Sequence, residues 1–373
     1  MKPILLLMLC FVSMAHAQTP ANKTYNLLVG TYTSPDMSQG IYVYSFNTET
    51  GEFTSKSVAT GVKNPSYLAI TKDRKHVYSV SEGSEGMISA FSFNAITGQL
   101  TFLNSAPSGG NGPCYVSVDD NNKFVFAGNY GGGSITAIPI NADGSLSQDI
   151  QKIQHEGKSI KPNQDKPHVH AAVLSKDNKF LFVPDLGTDK VNIYGVDVMK
   201  PKPLTPASPA FASITAGGGP RHFTFHPNGK FAYVILENTG EVVVFDYASG
   251  QLKEKQKVSM PVAGYEGNIH AADIHISADG KFLYGSMRAE INELGIYSID
   301  KKGLLKWVGR QSTMGKIPRN FEIDPTGNFL LVGNQNSDEI VIFKRDKKTG
   351  LLTDTGKRIS VGKPVCLKFV AAN

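Results

Sequence analysis

One block of sequence recurs along this chain, and that recurrence limits the fold more than any other feature. It reads Pro220-Arg-His-Phe-Thr-Phe-His-Pro-Asn-Gly-Lys230-Phe-Ala-Tyr-Val in one copy and Pro318-Arg-Asn-Phe-Glu-Ile-Asp-Pro-Thr-Gly-Asn328-Phe-Leu-Leu-Val in another. Aligned on the Lys or Asn of the turn, the copies fall at positions 75, 123, 179, 230, 281 and 328, with spacings of 48, 56, 51, 51 and 47. Such spacings lie in or just above the range of β-propeller blades, each a four-stranded sheet. A length of 373 residues would otherwise allow two or three domains. The 37 glycines and 20 prolines are dispersed along the chain, which suits many tight turns and not a low-complexity tract.

Three strands per copy are legible. First strands begin at Tyr67, Tyr115, His170, His222, Asp273, Asn320 and Cys366. Each is followed by a second strand such as Phe231-Ala-Tyr and a third such as Glu241 to Tyr247, with a looser fourth after that. The runs are rich in β-branched and aromatic residues and are bounded by Gly, Asn, Asp and Pro. The seventh first strand comes from the C-terminus, whereas its second and third strands, from Asn26 to Phe46, come from the N-terminus. One blade is therefore assembled from both chain ends, which closes the ring and leaves no open sheet edge between them. The fold class is all-β: one seven-bladed β-propeller. Lys200 to Pro209, rich in proline, reads as an edge loop. Trp307 is expected to pack between blades.

The first residues read as an address. Lys2 precedes the apolar run Ile4 to Val12, and Ala15-His16-Ala17 follows. That is the n-region, h-region and small-x-small site of a secretory leader. The expected layout is a leader over 1–17 and a propeller over 18–373, exported to the periplasm or secreted, with no membrane attachment after cleavage. Rival readings are lipidation at Cys10, disfavoured by Leu9 where a small residue belongs, and an uncleaved anchor. Three cysteines are too few for a disulfide scaffold or a Cys-rich zinc module. Cys114 and Cys366 fall in the first strands of units two and seven and read as packed thiols. The net charge of +6 comes with no basic run or aromatic-basic stripe, so nucleic acid is not an expected partner. A monomer is expected.

In a propeller the first strands line a central channel, and the loops entering them share one mouth with the loops leaving the second strands. Two alignment columns therefore converge. The first holds Ser66, Cys114, His170, Arg221-His222, Asp273 and Arg319-Asn320, with His168 and His270 just ahead of their strands. The second holds Thr31-Tyr32, Ser81-Glu82, Asn129-Tyr130, Asp185-Leu186, Leu236-Glu237, Met287-Arg288 and Asn334-Gln335. Such a cluster suits hydrolysis of an ester-like carbonyl. Arginine can hold a developing oxyanion, neutral histidine can take a proton from water, and a carboxylate can fix the histidine tautomer. Several arginines also suit an anionic substrate.

These residues carry a resemblance. Leu28-Val-Gly-Thr-Tyr32, Asn129-Tyr-Gly-Gly-Gly-Ser134, Pro167-His-Val-His170, Pro184-Asp-Leu-Gly-Thr-Asp189, Gly219-Pro-Arg-His222 and Leu236-Glu-Asn238 stand in order at blade spacing. Over Tyr25 to Val370 the chain resembles the propeller lactonase family of the bacterial 6-phosphogluconolactonase type, which has carboxymuconate-lactonising fungal relatives. The resemblance implies a site around His170, Asp185, Arg221, His222, Glu237 and Arg288. Two positions depart from the family pattern. Asp273 stands where the family usually has Glu, and Met287 replaces Asn in Ser286-Met287-Arg288.

The expected activity is hydrolysis of a sugar or hydroxy-acid lactone, with no cofactor required. Arg221 would stabilise the oxyanion, and His222 or His170 would activate water, oriented by Glu237 or Asp185. Arg288, Asp273, His168 and Asp185 would contact substrate. A phosphorylated sugar lactone is cytoplasmic, so an exported enzyme should meet another lactone. The alternatives are a non-catalytic binding propeller and a carboxymuconate-type lactonising enzyme. His168 and His170 lie two apart on a strand and would face one way; with Asp185 they could begin a metal site, but nothing completes the set and no metal is expected. Asp185 or Asp189 could instead cap a turn. His226 and His275 read as structural. The runs Gly131 to Gly133 and Gly217 to Gly219 read as hairpin or channel-approach backbone, not phosphate cradles.

Overall fold

The turn that ends each first strand explains why the block repeats. The residue before the aligned Lys or Asn has positive φ in all six copies: Arg74 62°, Asn122 56°, Asn178 56°, Gly229 71°, Gly280 72° and Gly327 73°. Its N–H donates to the carbonyl three residues back, as in Gly229 to His226 at 2.9 Å and Gly327 to Asp324 at 2.8 Å. Only glycine adopts that conformation freely, with asparagine next, which is why Asn-Gly-Lys and Thr-Gly-Asn mark the hairpins. Asp119 and Asp324 tighten their turns by accepting N–H bonds from Phe124 and Phe329.

A computed structural model of the protein describes residues 23–260 and 267–372; the expected leader over 1–17 lies outside them. The described residues form seven four-stranded antiparallel sheets. We number the blades 1 to 7 by their inner strands: Leu68–Ile70, Pro113–Val118, Val173–Leu174, Pro220–Phe225, Ala271–Ile276, Pro318–Ile323 and Pro364–Ala371. Blade 7 joins Pro364–Ala371 to Thr24–Thr31, with Leu27 opposite Phe369 and Leu28 opposite Lys368. The closure expected from the two chain ends is present.

Blades adhere through apolar faces. One core cluster joins Tyr233 and Ile235 of blade 4 to Leu283 and Tyr297 of blade 5, with Trp307 packed against it. Tyrosines of the second strands also reach into the next blade. The Tyr78 hydroxyl donates to Gly144 O at 2.9 Å, Tyr233 to Gly303 O at 2.8 Å and Tyr284 to Gly350 O at 2.7 Å. All three rings are fully buried, so each bond adds about 1 kcal/mol to the apolar burial.

The proline-rich stretch differs from its reading as a loop. Residues 204–209 belong to the outer strand Leu204–Ser213, which pairs with Lys190–Val196 across a register shift between Asn192 and Tyr194. An outer strand has one unpaired edge, where proline's missing N–H costs no ladder bond.

Candidate active site

A regular strand would send Arg221 and His222 to opposite faces. The inner strands are not regular there. Register shifts fall between Pro113 and Tyr115, Pro220 and His222, Ala271 and Ile274, and Pro318 and Asn320. The irregularities coincide with Cys114, Arg221, Asp273 and Arg319. A bulge leaves a residue unpaired and re-aims its side chain, so consecutive residues can both reach the channel.

The outer layer of the channel centres on Glu237, which follows the second strand Phe231–Leu236 of blade 4. Its Oε2 lies 2.8 Å from Arg221 Nε and 2.9 Å from an Arg288 terminal nitrogen. Exposure rises outward through this layer, from 1% for the Arg221 side chain to 12% for Glu237, 14% for Arg288 and 43% for His270. Burial opposes ionisation of Glu237, but Arg288, a hydrogen bond from His270 and Arg221 outweigh it and hold the carboxyl far below its usual range. Burial, then Arg288 and Arg319, push Arg221 down to about 10, which leaves it cationic at neutral pH. Both arginines are anchored on blade 5 by donating to backbone carbonyls, Arg221 to Ala272 at 2.6 Å and Arg288 to Ala271 at 3.2 Å. The Nε–H groups of Arg221 and Arg288 are buried without an aligned acceptor. The short Arg221 contact with Glu237 is thus an ion pair made off the N–H axis.

Beneath lies an imidazole layer. The His222 and His170 rings meet edge to face at 5.3 Å, and the stacked pair Tyr67 and Tyr115, 4.1 Å apart, presents edges to His222. His222 Nδ1 lies 2.7 Å from Asp273 Oδ1. Asp273 also accepts from the Ile274 and Phe321 N–H groups, from Asn320 and from His275 Nε2 at 2.9 Å. Burial would favour a neutral Asp273, but His275 and His222 outweigh it and keep the carboxyl well below the usual range. An ionised Asp273 places the His222 proton on Nδ1 and leaves Nε2 as a free base. Burial and Arg221 push His222 down to about 4, against the pull of Asp273. Burial, Arg221 and His222 hold His170 well below the ordinary imidazole value. Both rings are neutral at pH 7.

Arg221, His222, Glu237, Arg288, His170 and Asp273 therefore meet, but their partners differ from expectation. Neither Glu237 nor Asp185 holds the ring of His222 or His170; Asp273, expected to contact substrate, is the carboxylate on His222. Asp185 is fully buried and occupied by His155 Nδ1 at 2.8 Å and by the N–H groups of His168 at 2.8 Å and Gly187 at 3.1 Å. It fastens a turn, in place of the substrate contact expected of it. His168 and His170 do not sit on one regular strand: only Val169 between them makes an isolated bridge. His168 stacks on Tyr130, with Nδ1 3.0 Å from Tyr130 O and Nε2 3.2 Å from Asp165. His170 Nδ1 instead faces Cys114 Sγ at 3.6 Å. Cys114 and Cys366 are buried free thiols. Burial, then Glu82, raises Cys114 to about 12, so it stays a protonated thiol at neutral pH. No group of three or more candidate metal ligands occurs among the described residues. Asp189 accepts from the Gly217 and Gly219 N–H groups, both at 2.7 Å: the anion held by that glycine loop is the chain's own.

A second cluster, around Glu82, lies outside the expected site. The Tyr32 hydroxyl donates to Glu82 at 2.9 Å, Ser66 donates to the same oxygen, and Arg319 lies over the Tyr32 ring at 5.4 Å. Tyr32, Glu82 and Arg319 all stand in the two converging columns, so the signal was present in the repeat alignment. A hollow of about 480 Å³ is lined by Lys63, Glu85, Met87, Phe102 and Ser105 of the rim and meets this cluster only at Glu82.

Residues 26–369 match the family described as "Lactonase, 7-bladed beta-propeller". The chain is 36% identical over 346 residues to a 6-phosphogluconolactonase of Bacillus subtilis strain 168, covering 92% of this chain and 97% of that one. It is 36% identical over 332 residues to a 6-phosphogluconolactonase of Formosa agariphila, covering 87% and 94%. Among solved structures, the periplasmic gluconolactonase of Pseudomonas aeruginosa superposes with a TM-score of 0.90 at 37% identity, covering 94% of this chain and 100% of that one. A Lactobacillus plantarum protein superposes with a TM-score of 0.85 at 33% identity, covering 93% and 99%. With its seven blades, its shared chain closure and a match running from the first strand to the last, the chain belongs to the seven-bladed β-propeller lactonase family.

Proposed function

We propose that the protein is an exported lactonase that opens a sugar or hydroxy-acid lactone at the channel mouth. One observation carries the reading: two guanidinium groups, Arg221 and Arg288, converge on Glu237 at the channel mouth, and a neutral His222 with its Nδ1 held by Asp273 lies in the layer below. A lactone carbonyl oxygen is a suitable acceptor for Arg221. As water attacks the carbonyl carbon, His222 Nε2 takes its proton, and the negative charge gathering on oxygen is met by a fixed guanidinium in a dry site. Collapse of the tetrahedral species breaks the ring C–O bond. The imidazolium returns its proton to the departing alkoxide, giving the open hydroxy acid. Asp273 stabilises the transient imidazolium, and Arg288 is placed to grip an anionic or polyol substituent.

Export is supported by the leader pattern before residue 18 and by similarity to a periplasmic gluconolactonase. No helix among the described residues is long and apolar enough to cross a membrane. An exported enzyme favours an unphosphorylated lactone. The test is a pH-stat assay of residues 18–373 on gluconolactone and on its 6-phosphate. Acid release above the spontaneous rate is expected, largest for the unphosphorylated lactone. Arg221→Ala should lower it about 10²- to 10³-fold, the scale for loss of one oxyanion donor. Saturable binding with no turnover would move the protein to the binding class.

A further inference from the structure

The contacts of His222 do not stop at Asp273. Asp273 Oδ2 lies 2.9 Å from His275 Nε2, His275 Nδ1 lies 3.5 Å from Glu322 Oε1, and Glu322 Oε2 lies 3.7 Å from Lys368 Nζ. The four groups come from the inner strands of blades 5, 6 and 7 and run deeper along the channel, away from the arginines. Three of them, Asp273, His275 and Lys368, border a cavity of about 160 Å³ that Tyr67, Tyr115 and His222 also line. Sequence position alone had made His275 structural, like His226, whose Nε2–H donates to Gly280 O at 2.9 Å. His275 is different, because both of its ring nitrogens face carboxylates.

We propose that His275 and Glu322 are positioning residues for His222: clamped between the two carboxylates, a cationic His275 keeps Asp273 ionised and turned so that its Oδ1 holds the His222 Nδ1 proton. This assignment rests on the reading of His222 as the base. Asp273 and His275 alternate on one strand and so share a face. Glu322 approaches from blade 6 and completes the clamp, while Lys368 from blade 7, over the Tyr67 ring at 4.9 Å, balances Glu322. The Phe321 ring packs edge-on against His275 at 4.9 Å. The charged and titratable groups facing His222 are Asp273, Arg221, Arg319 and His170, with the Tyr67 and Tyr115 rings. The arrangement is supported by the direction of His275 itself: burial lowers its proton affinity, but Asp273 and Glu322 outweigh burial and raise it.

The sign of the effect is definite. A cation on His275 offsets the Asp273 charge felt by His222, so removing it makes His222 more basic. The experiment is a ¹⁵N-imidazole NMR titration of residues 18–373 as wild type, His275→Gln and Glu322→Gln. In the wild type, His222 should be protonated on Nδ1. In His275→Gln its titration midpoint should rise by roughly one pH unit or more, the scale of one nearby charge. In Glu322→Gln, which is near-isosteric at a partly exposed side chain, the His275 midpoint should fall. An unmoved His222 midpoint in the first variant, or an unmoved His275 midpoint in the second, overturns the proposal. The titration needs no substrate, so it is decided even if no lactone is turned over. Where turnover is measured, the acid limb of kcat/KM should move with the His222 midpoint; an equal loss at every pH is the result a merely structural role would give.

Discussion

His222 of blade 4 and Asp273 of blade 5 are joined across the blade boundary by a 2.7 Å contact between Nδ1 and Oδ1. The pair fixes the tautomer of a buried imidazole by a strand that is not its own. Asn at position 273 could offer an N–H where His222 needs an acceptor, favouring the other tautomer. Asp273→Asn should therefore cut kcat by on the order of 10³- to 10⁴-fold with KM little changed. Steady-state kinetics on the lactone turned over by the wild type checks this, and a loss confined to KM would contradict it.

The pH dependence follows from the low proton affinity of the imidazole layer. His222 sits at about 4, so its base form persists through mildly acid conditions and kcat/KM should stay level from about pH 7 to about pH 5. An ordinary surface histidine would give half-loss near pH 6.5.

Stability should move the other way with acid. As pH falls through roughly 6.5, the unfolded chain binds protons that buried His170 and His222 refuse, so these groups destabilise the native state. Below roughly pH 4 the unfolded chain protonates Glu237 and Asp273 while the folded chain still holds them ionised, and their stabilisation is lost in turn. His275 acts oppositely: its raised affinity contributes stability below roughly 6.5 that fades as pH rises through its folded value. The depressed groups outnumber it, and Tm measured by scanning calorimetry should drop between pH 6.5 and 4. A level or rising Tm over that range would refute the sum.

Cys114 touches His170 yet should be chemically silent. Burial holds its thiol at about 12 and that of Cys366 at about 11, so almost no thiolate exists at pH 8. Iodoacetamide should leave the native protein unlabelled by intact mass and fully active. Cys114→Ser should retain turnover within a few-fold; loss of activity on alkylation would reopen a nucleophilic role.

Asp185→Asn separates structure from chemistry. The carboxylate accepts from His155, His168 N–H and Gly187 N–H, and weakening this buried set should cost about 2–3 kcal/mol. Lower stability in urea melts with KM near the wild-type value is expected. A KM effect without loss of stability would return Asp185 to the substrate.

The site was legible in part, and the part that was missed has a physical cause. Arg221, His222, Glu237 and Arg288 broke the repeat at positions where packing alone would have kept apolar residues, so their convergence could be read from alignment columns. The pairing of carboxylates with cations could not. The alignment columns offered Glu237 three arginines and four histidines, and the fold pairs it with Arg221 and Arg288. Asp185 is the last residue of its second strand, one position ahead of the place Glu237 holds in blade 4, and the backbone N–H groups of His168 and Gly187 claim it. His275 was passed over because its place late in a strand says nothing of the carboxylates on either side.

Blade number, the closure of blade 7 from both termini and the channel-lining columns were determined by the sequence alone. They depend on local turn chemistry: a residue of positive φ before each aligned Lys or Asn, and apolar alternation between turns. What the tertiary structure decided was which way consecutive inner-strand residues point and whom they touch. Bulges at Arg221, Asp273 and Arg319 override the period-two rule. Contacts between blades join residues such as His222 and Asp273, 51 positions apart. Those pairings depend on charge and desolvation summed over several strands at once, a quantity that no single segment of the chain contains.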